Sequence, residues 1–324
     1  MTRALIVVIA LLAACGPGSS VAPSATAQTA TAAASPSPAQ TASPSPSPTP
    51  SASPLPSPAP SATPGLLPIF DAHVHYSREA WAAYPPERVA ALLDAAGVRT
   101  ALVSSGPDEG TFRLRAILGD RIVPTLGPYR SAADVFSWTR DGTILPYLQS
   151  SYGPHVHRGF GEFHLNVGQV TLPVVRAALA FARDNDLFLH AHADARAAAE
   201  LLDAVGPEYV VLWAHAGLTA TPEQIDALLA RWPKLWTELS LRDDVAPNGV
   251  LDPRWAALFA KYPERFMVGT DTWAVGGSVA AANERWGAYA DIIRGIRAWL
   301  AQLPPEEAER VAHLNGERFL AQFP

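Results

Sequence analysis

From residue 66 onward the chain predicts a (β/α)8 barrel, and three observations carry that expectation. Eight short apolar runs alternate with longer helical patterns. Five of these runs carry His, Glu or Asp at their last or next-to-last residue, as they should where barrel strands present their C-terminal ends to a site. The stretch is long enough for one large core, and an open doubly wound sheet is disfavoured because no Gly-rich dinucleotide fingerprint follows the first run.

The strand candidates, in order, are Pro68 to His75, Arg99 to Ser104, Ile122 to Thr125, Gly159 to Phe163, Leu187 to His192, Tyr209 to His215, Leu235 to Leu241 and Phe266 to Asp271. Helical patterns lie between them at Pro86 to Ala96, Val170 to Asp184, Ala195 to Val205, Pro222 to Arg231 and Pro253 to Tyr262, and a last helix is expected from Pro304 to Phe319. Thr221-Pro222-Glu223 and Asp252-Pro253 are helix starts, with a capping side chain ahead of a first-turn proline.

What precedes the barrel is of another kind, because no charged residue stands between Arg3 and Asp71. Residues 1–15 combine one basic residue, an apolar run from Ala4 to Ala14 and Leu12-Ala13-Ala14-Cys15, which reads as a secretory signal. The run is shorter than the ~20 residues that span a bilayer. Its last four residues resemble a bacterial lipobox, so Cys15, the only cysteine, is expected to carry lipid and anchor an exported protein to the membrane. Residues 16–65, rich in Ser, Pro, Ala and Thr, lack the apolar surface to offset ordering entropy and are expected to form a disordered spacer. Residues 66–324 form the catalytic-sized domain.

The first strand ends in Asp71-Ala72-His73-Val74-His75. Side chains two apart on a strand share a face, so both imidazoles can meet one ion. Two inward imidazoles without an ion would leave polar groups to satisfy. Further candidates stand at later strand ends: Glu162 on the fourth, His190 and His192 on the fifth, His215 on the sixth and Asp271 on the eighth. Aligning Leu189-His190-Ala191-His192-Ala193 with Leu212-Trp213-Ala214-His215-Ala216 favours His192 over His190 as the ligand, and His190 also reads as a buried histidine bonded to a neighbouring strand.

Taken as a set, these motifs resemble the amidohydrolase superfamily of metal-dependent hydrolases, over essentially the whole of the chain from Leu66. Asp71-Ala72-His73-Val74-His75 is similar to its Asp-x-His-x-His, His215-Ala216-Gly217 to its His-Ala-Gly and Gly269-Thr270-Asp271 to its Gly-x-Asp. Gly159-Phe160-Gly161-Glu162 resembles the branch that holds aminocarboxymuconate-semialdehyde decarboxylase and related hydrolases. The lysine that bridges two ions in many members is excluded, since the only lysines, Lys234 and Lys261, end no fourth strand. Glu162 then bridges two ions or leaves a single-ion site, and both stay open.

The resemblance implies a divalent metal cofactor, one or two ions, with Zn the default for a nitrogen-rich site. It implies that His73, His75, His192 or His190, Glu162, His215 and Asp271 hold the metal. Asp271 would shuttle the proton, and His215 would ligate a second ion or polarise the substrate carbonyl, with Glu162 as the third catalytic group. Water in such a site ionises near about pH 7. Around it, His164, two past Glu162, and Trp273, two past Asp271, are candidates to meet substrate, with Arg158 and Arg130 beside them; Tyr129 next to Arg130 could join in holding an anionic group. For Arg158 the blander reading is a strand-start charge at the opposite mouth, and for Arg130 a solvated loop cation.

A net charge of −6 without a basic run speaks against nucleic acid as partner. The function expected is hydrolysis of an amide, ester or lactone in a small molecule. The alternatives are a metal-dependent non-oxidative decarboxylase, which needs an arginine such as Arg130, Arg158 or Arg242 within reach of the metal, and a non-catalytic binding lipoprotein.

Overall fold

The computed structural model describes residues 66–323; the signal, the spacer and Cys15 lie outside the described residues. Eight parallel strands are hydrogen-bonded in sequence order: β1 Ile69–Val74, β2 Val98–Val103, β3 Ile122–Leu126, β4 Gly159–His164, β5 Phe188–His192, β6 Val211–Trp213, β7 Leu235–Glu238 and β8 Phe266–Met267. The Ala72 amide donates to Val268 O at 2.9 Å and the Asp271 amide to His73 O at 2.8 Å, which joins β1 to the chain leaving β8. The expected (β/α)8 barrel is the fold.

Helices α1 Pro86–Ala95, α2 Glu109–Leu118, α3 Ile144–Ser151, α4 Pro173–Asp184, α5 Ala195–Val205, α6 Pro222–Arg231 and α7 Pro253–Lys261 run between strands. After β8 come α8 Val279–Gly287, α9 Tyr289–Leu300, α10 Pro305–Glu309 and α11 Asn315–Leu320, the last two joined by a π turn over Arg310–Leu314. Local chemistry sets several starts. The Asp194 carboxylate accepts from the amides of Arg196 and Ala197 ahead of α5, and Thr221 and Gln224 form a capping box ahead of α6. Among the described residues no helix is long and apolar enough to cross a membrane.

Two apolar layers follow from the alternation of strand side chains. The outer one joins strand residues such as Val98, Leu189 and Val211 to helix residues such as Val175, Ile225 and Trp255. The inner one fills the barrel with Phe70, Ala72, Leu102, Phe188, Leu212, Trp236 and Met267 and is plugged by Phe319 from α11. Above this plug the interior turns polar.

Strands β6, β7 and β8 stop earlier than the apolar runs suggest. After β6, His215, Ala216 and Leu218 take positive φ and curl into a turn. After β7, the Ser240 amide donates to the Glu238 carboxylate rather than to a ladder partner. Past β8 the chain stays beside β1 through side chains: Thr272 Oγ1 accepts from the His75 amide at 2.8 Å and donates to His75 O at 2.7 Å.

Phe319 is fully buried against Phe188 and Trp236, with ring centroids 4.7 and 5.4 Å away. Phe319→Ala is expected to cost about 3–5 kcal/mol of unfolding free energy, read from the denaturant midpoint at constant slope. A loss below about 1 kcal/mol would mean that the barrel floor is closed by other contacts.

Candidate metal centre

Two irregularities in the sheet place the polar residues inward. The β1–β2 register slips between Asp71 and Val74, and the β4–β5 register slips between Gly161 and Phe163. Each slip adds one residue to its strand, as a bulge does, and re-aims a side chain. Phe70 and Ala72 face the inner core, yet His73 and His75 also point inward, on the other parity. Glu162 occupies the second slip and points to the barrel axis, while Phe160 and Phe163 on either side pack outward.

The buried Glu162 carboxylate faces two histidine pairs. Its Oε2 lies 3.2 Å from His75 Nε2 and 3.4 Å from His73 Nε2. Its Oε1 lies 3.0 Å from His192 Nδ1 and 3.3 Å from His215 Nε2. Asp271 Oδ1 stands 3.6 Å from His75 Nε2 and 3.9 Å from His73 Nε2. His73, His75 and Glu162 form one group whose ligand atoms could hold an ion, and Glu162, His192 and His215 form another.

The partners on the far sides of the rings decide what these nitrogens offer. His75 Nδ1 is 2.7 Å from Ser104 O, and a carbonyl only accepts, so Nδ1 carries the proton. His73 Nδ1 donates to Glu238 Oε1 at 2.9 Å. His215 Nδ1 reaches Ser240 O at 3.1 Å and Ser240 Oγ at 2.8 Å. When neutral, rings held this way turn bare Nε2 lone pairs inward, and the Nε2 atoms of His73 and His75 are only 2.9 Å apart beside a carboxylate oxygen. Acceptors at that spacing need a positive charge between them. The donor set of imidazole nitrogen and carboxylate oxygen suits a divalent transition ion, so the residues fit a metal.

The ionisation of the residues agrees. Burial opposes the His73 imidazolium, but Glu162, Glu238 and Asp271 together hold its pKa well above the usual value. Burial likewise opposes the Glu162 carboxylate, and His73 with hydrogen bonds from His192 and His215 holds its pKa well below normal. Asp271 is lowered against its burial by His73, His215 and His75. The pocket favours positive charge amid its carboxylates, which a proton or a divalent ion can supply.

Glu238, at the end of β7, escapes sequence reading although it is fully buried beneath the cluster. Its Oε1 also accepts from the His215 amide at 2.7 Å, so one carboxylate fixes both the His73 ring and the His215 backbone. Only a glycine fits opposite it, because a Cβ at Gly269 would overlap the Glu238 carboxylate. Asp71, in the His-x-His run, turns away from the cluster and accepts from Thr270 and Tyr289; burial raises its pKa to about 6.

The remaining candidates separate. His192 meets Glu162, whereas buried His190 packs its ring 4.6 Å from that of His73 and its Nε2 has no hydrogen-bond partner among the described residues. Burial lowers the His190 pKa to about 3. Trp273 sets its ring 5.1 Å from His75. His164 stacks on His192 with centroids 4.1 Å apart and borders a cavity of about 350 Å³ that His192 also lines. Arg130 is held by Asp134 and Asp141 at 2.9 and 2.6 Å. Arg158 precedes β4 and lines a cavity of about 920 Å³ with Tyr209 and Phe323, where the strands begin. Neither arginine is brought to the histidine cluster.

Tyr129 anchors this wall, since its hydroxyl accepts from the His164 amide at 2.7 Å and meets His164 Nδ1 at 2.9 Å. Tyr129→Phe strands both groups and is expected to lower stability by about 1–3 kcal/mol, measured in urea; an unchanged midpoint would show that water replaces the hydroxyl.

No family model matches the chain, and no curated protein sequence matches it. Among solved structures it is similar to an amidohydrolase 2 from Bifidobacterium longum subsp. infantis, at 14% identity over 79% of this chain and 99% of that one, with a TM-score of 0.46. It is also similar to a TatD homologue from Escherichia coli k12, at 14% identity over 78% of this chain and 97% of that one, with a TM-score of 0.49. Identity this low is compatible with shared architecture without shared chemistry, so function has to be argued from the site's own residues.

Proposed function

We propose that the protein is a metal-dependent hydrolase that cleaves an amide, ester or lactone bond of a small molecule. The observation that carries this reading is the convergence of His73 Nε2, His75 Nε2 and Glu162 Oε2, three acceptors within 3.4 Å of one another, with the rings' other nitrogens committed as donors. His73, His75, Glu162 and Asp271 would hold one divalent cation, and Glu162, His192 and His215 a second. Zn suits such ligands best. When bound, the cation supplies Lewis acidity and makes hydroxide available near neutral pH.

The chain's own groups then have separable tasks. Asp271 is ionised at neutral pH because the surrounding imidazoles lower its pKa, so its carboxylate can take the proton of the attacking water and return it to the leaving group. Glu238, Ser240 and Ser104 hold the imidazoles in one tautomer and one orientation. Trp273 and His164 bound the opening beside His75 and His192 and orient the substrate there.

Hydrolysis is favoured over decarboxylation by the arginines. Arg130 is paired with Asp134 and Asp141. Arg242 is spent on backbone carbonyls and Asp244. Arg158 stands at the strand starts, opposite the mouth of the site. None of these three arginines is placed to offer its guanidinium to a substrate carboxylate at the cluster, as decarboxylation would call for.

The test is elemental analysis of the purified protein together with turnover of neutral ester, lactone and amide probes, before and after chelation. One or two equivalents of a divalent metal are expected. Turnover should vanish with chelation and return with Zn. The His73→Ala, His75→Ala double variant should lose metal, and His192→Ala should lose more than His190→Ala. Release of carbon dioxide from carboxylated probes without hydrolysis of the neutral ones would establish the decarboxylase instead. A wild type that stays metal-free after reconstitution with Zn, Mn and Fe would overturn both.

From the lipobox-like Leu12-Ala13-Ala14-Cys15 we further propose that the enzyme is exported and tethered through lipid on Cys15. Metabolic labelling with palmitate is expected to mark the wild type and to spare Cys15→Ala, which should leave the detergent phase on partition; label retained in Cys15→Ala would refute the anchor.

A further inference from the structure

We propose that Arg242 is a positioning residue for His215, and that it thereby governs how firmly the nest of Glu162, His192 and His215 holds a cation. The inference rests on the metal-centre reading above and assigns a determinant within it.

His215 is not presented from a strand. It opens a turn in which His215, Ala216, Gly217 and Leu218 have φ of 57°, 45°, 76° and 52° in succession. L residues rarely adopt this left-handed conformation, and a run of them relaxes unless other groups hold it. Within the turn His215 O accepts from the Leu218 amide at 2.9 Å and Gly217 O from the Ala220 amide at 3.3 Å, while Ala216 O and Ala220 O take side-chain donors from outside it.

Arg242 supplies them. Its Nη1 donates to Ala216 O at 3.0 Å and to His215 O at 3.4 Å, and its Nη2 donates to Ala220 O at 2.8 Å. The guanidinium is itself aimed by Asp244, which accepts from Nε and Nη2 at 2.8 Å each, and by the Trp255 ring, 4.7 Å beneath its carbon. Only 6% of Arg242 is exposed, so this is an interior brace. Ser240, two residues earlier in the same segment, takes the His215 ring through Nδ1. The segment after β7 thus sets both the backbone and the ring of His215, and its two grips are independent side chains.

The planar fork matters here. A lysine ammonium is a point donor on a flexible stem and cannot span three carbonyls and a carboxylate in one plane. Charge conservation alone should therefore fail to preserve the turn.

The experiment compares the full-length wild type with Arg242→Gln, Arg242→Lys and Asp244→Asn, each reconstituted with Zn. It reads equivalents bound by elemental analysis, affinity by chelator competition, and the visible spectrum after Co(II) substitution. Both Arg242 variants are expected to keep cooperative unfolding and the ion at His73, His75 and Glu162. They should weaken the ion that His215 shares at least tenfold, with a changed Co(II) spectrum and no rescue by lysine. Asp244→Asn, which leaves the carbonyl contacts in place, should weaken it less. Wild-type affinity for both ions in folded Arg242→Lys overturns the inference, and so does failure of both Arg242 variants to fold, which would assign the residue to the fold itself. If the wild type takes up fewer than two ions, the His215 ring resonances read positioning alone: they shift in Arg242→Lys if the inference holds, and their constancy overturns it.

Discussion

A carboxylate buried among imidazoles is the constraint from which the upper half of this barrel follows. Glu162 is almost wholly removed from water, and an isolated ionised carboxyl there would be neutralised by protonation. It stays ionised because His73 on one side and His192 and His215 on the other stabilise the charge. His73 and Glu162 themselves are inward because β1 and β4 each carry a register slip at the right residue. Regular alternation would put His73 on the opposite face from Phe70 and Ala72 and return it to the outer layer.

Around that carboxylate the supporting residues act on tautomers and on space. Glu238 accepts from the His73 ring and the His215 amide, Ser104 from the His75 ring, and Ser240 meets the His215 ring. Each contact removes one freedom from an imidazole, and together they commit the outward nitrogens of His73, His75 and His215. Gly269 leaves the space that Glu238 fills.

Much of the architecture is legible in the sequence because strand and helix periods differ and because capping chemistry is local. β1 to β5 fall within a residue or two of their apolar runs, and α5 and α6 coincide with their patterns. The short β6, β7 and β8 are less legible, since the turns held by Arg242 and Thr272 draw on partners distant in sequence, and after β7 the Ser240 amide turns back onto the Glu238 side chain in place of a ladder partner. Helices α2 and α3 and the pair α8 and α9 have no counterpart in the sequence reading; α2 begins within Gly106-Pro107-Asp108-Glu109-Gly110, which carries the marks of a turn. Within the site, strand ends locate His73, His75, Glu162, His192, His215 and Asp271. Glu238 is missed because Thr237-Glu238-Leu239 reads as an ordinary strand with a solvated acid, and nothing local says that its glutamate faces the axis.

The composition of the cluster argues for a functional site over a mere filling of the barrel. Apolar residues of similar volume would fill the space above the Phe319 plug at lower cost, since replacing buried charge networks by packed side chains is often neutral or stabilising. This chain instead keeps Glu162, Glu238 and Asp271 buried beside five histidines, and leaves His190 Nε2 without a partner among the described residues. It also keeps His215, Ala216 and Leu218 in a left-handed turn, at about 1–2 kcal/mol per residue. Such departures from the most stable filling concentrate where a site has work to do. They all lie at the C-terminal ends of the strands, while the opposite end is closed by aromatic packing. Stability and chemistry are thus divided along the barrel axis, and a substitution's position along it should decide which of the two it disturbs.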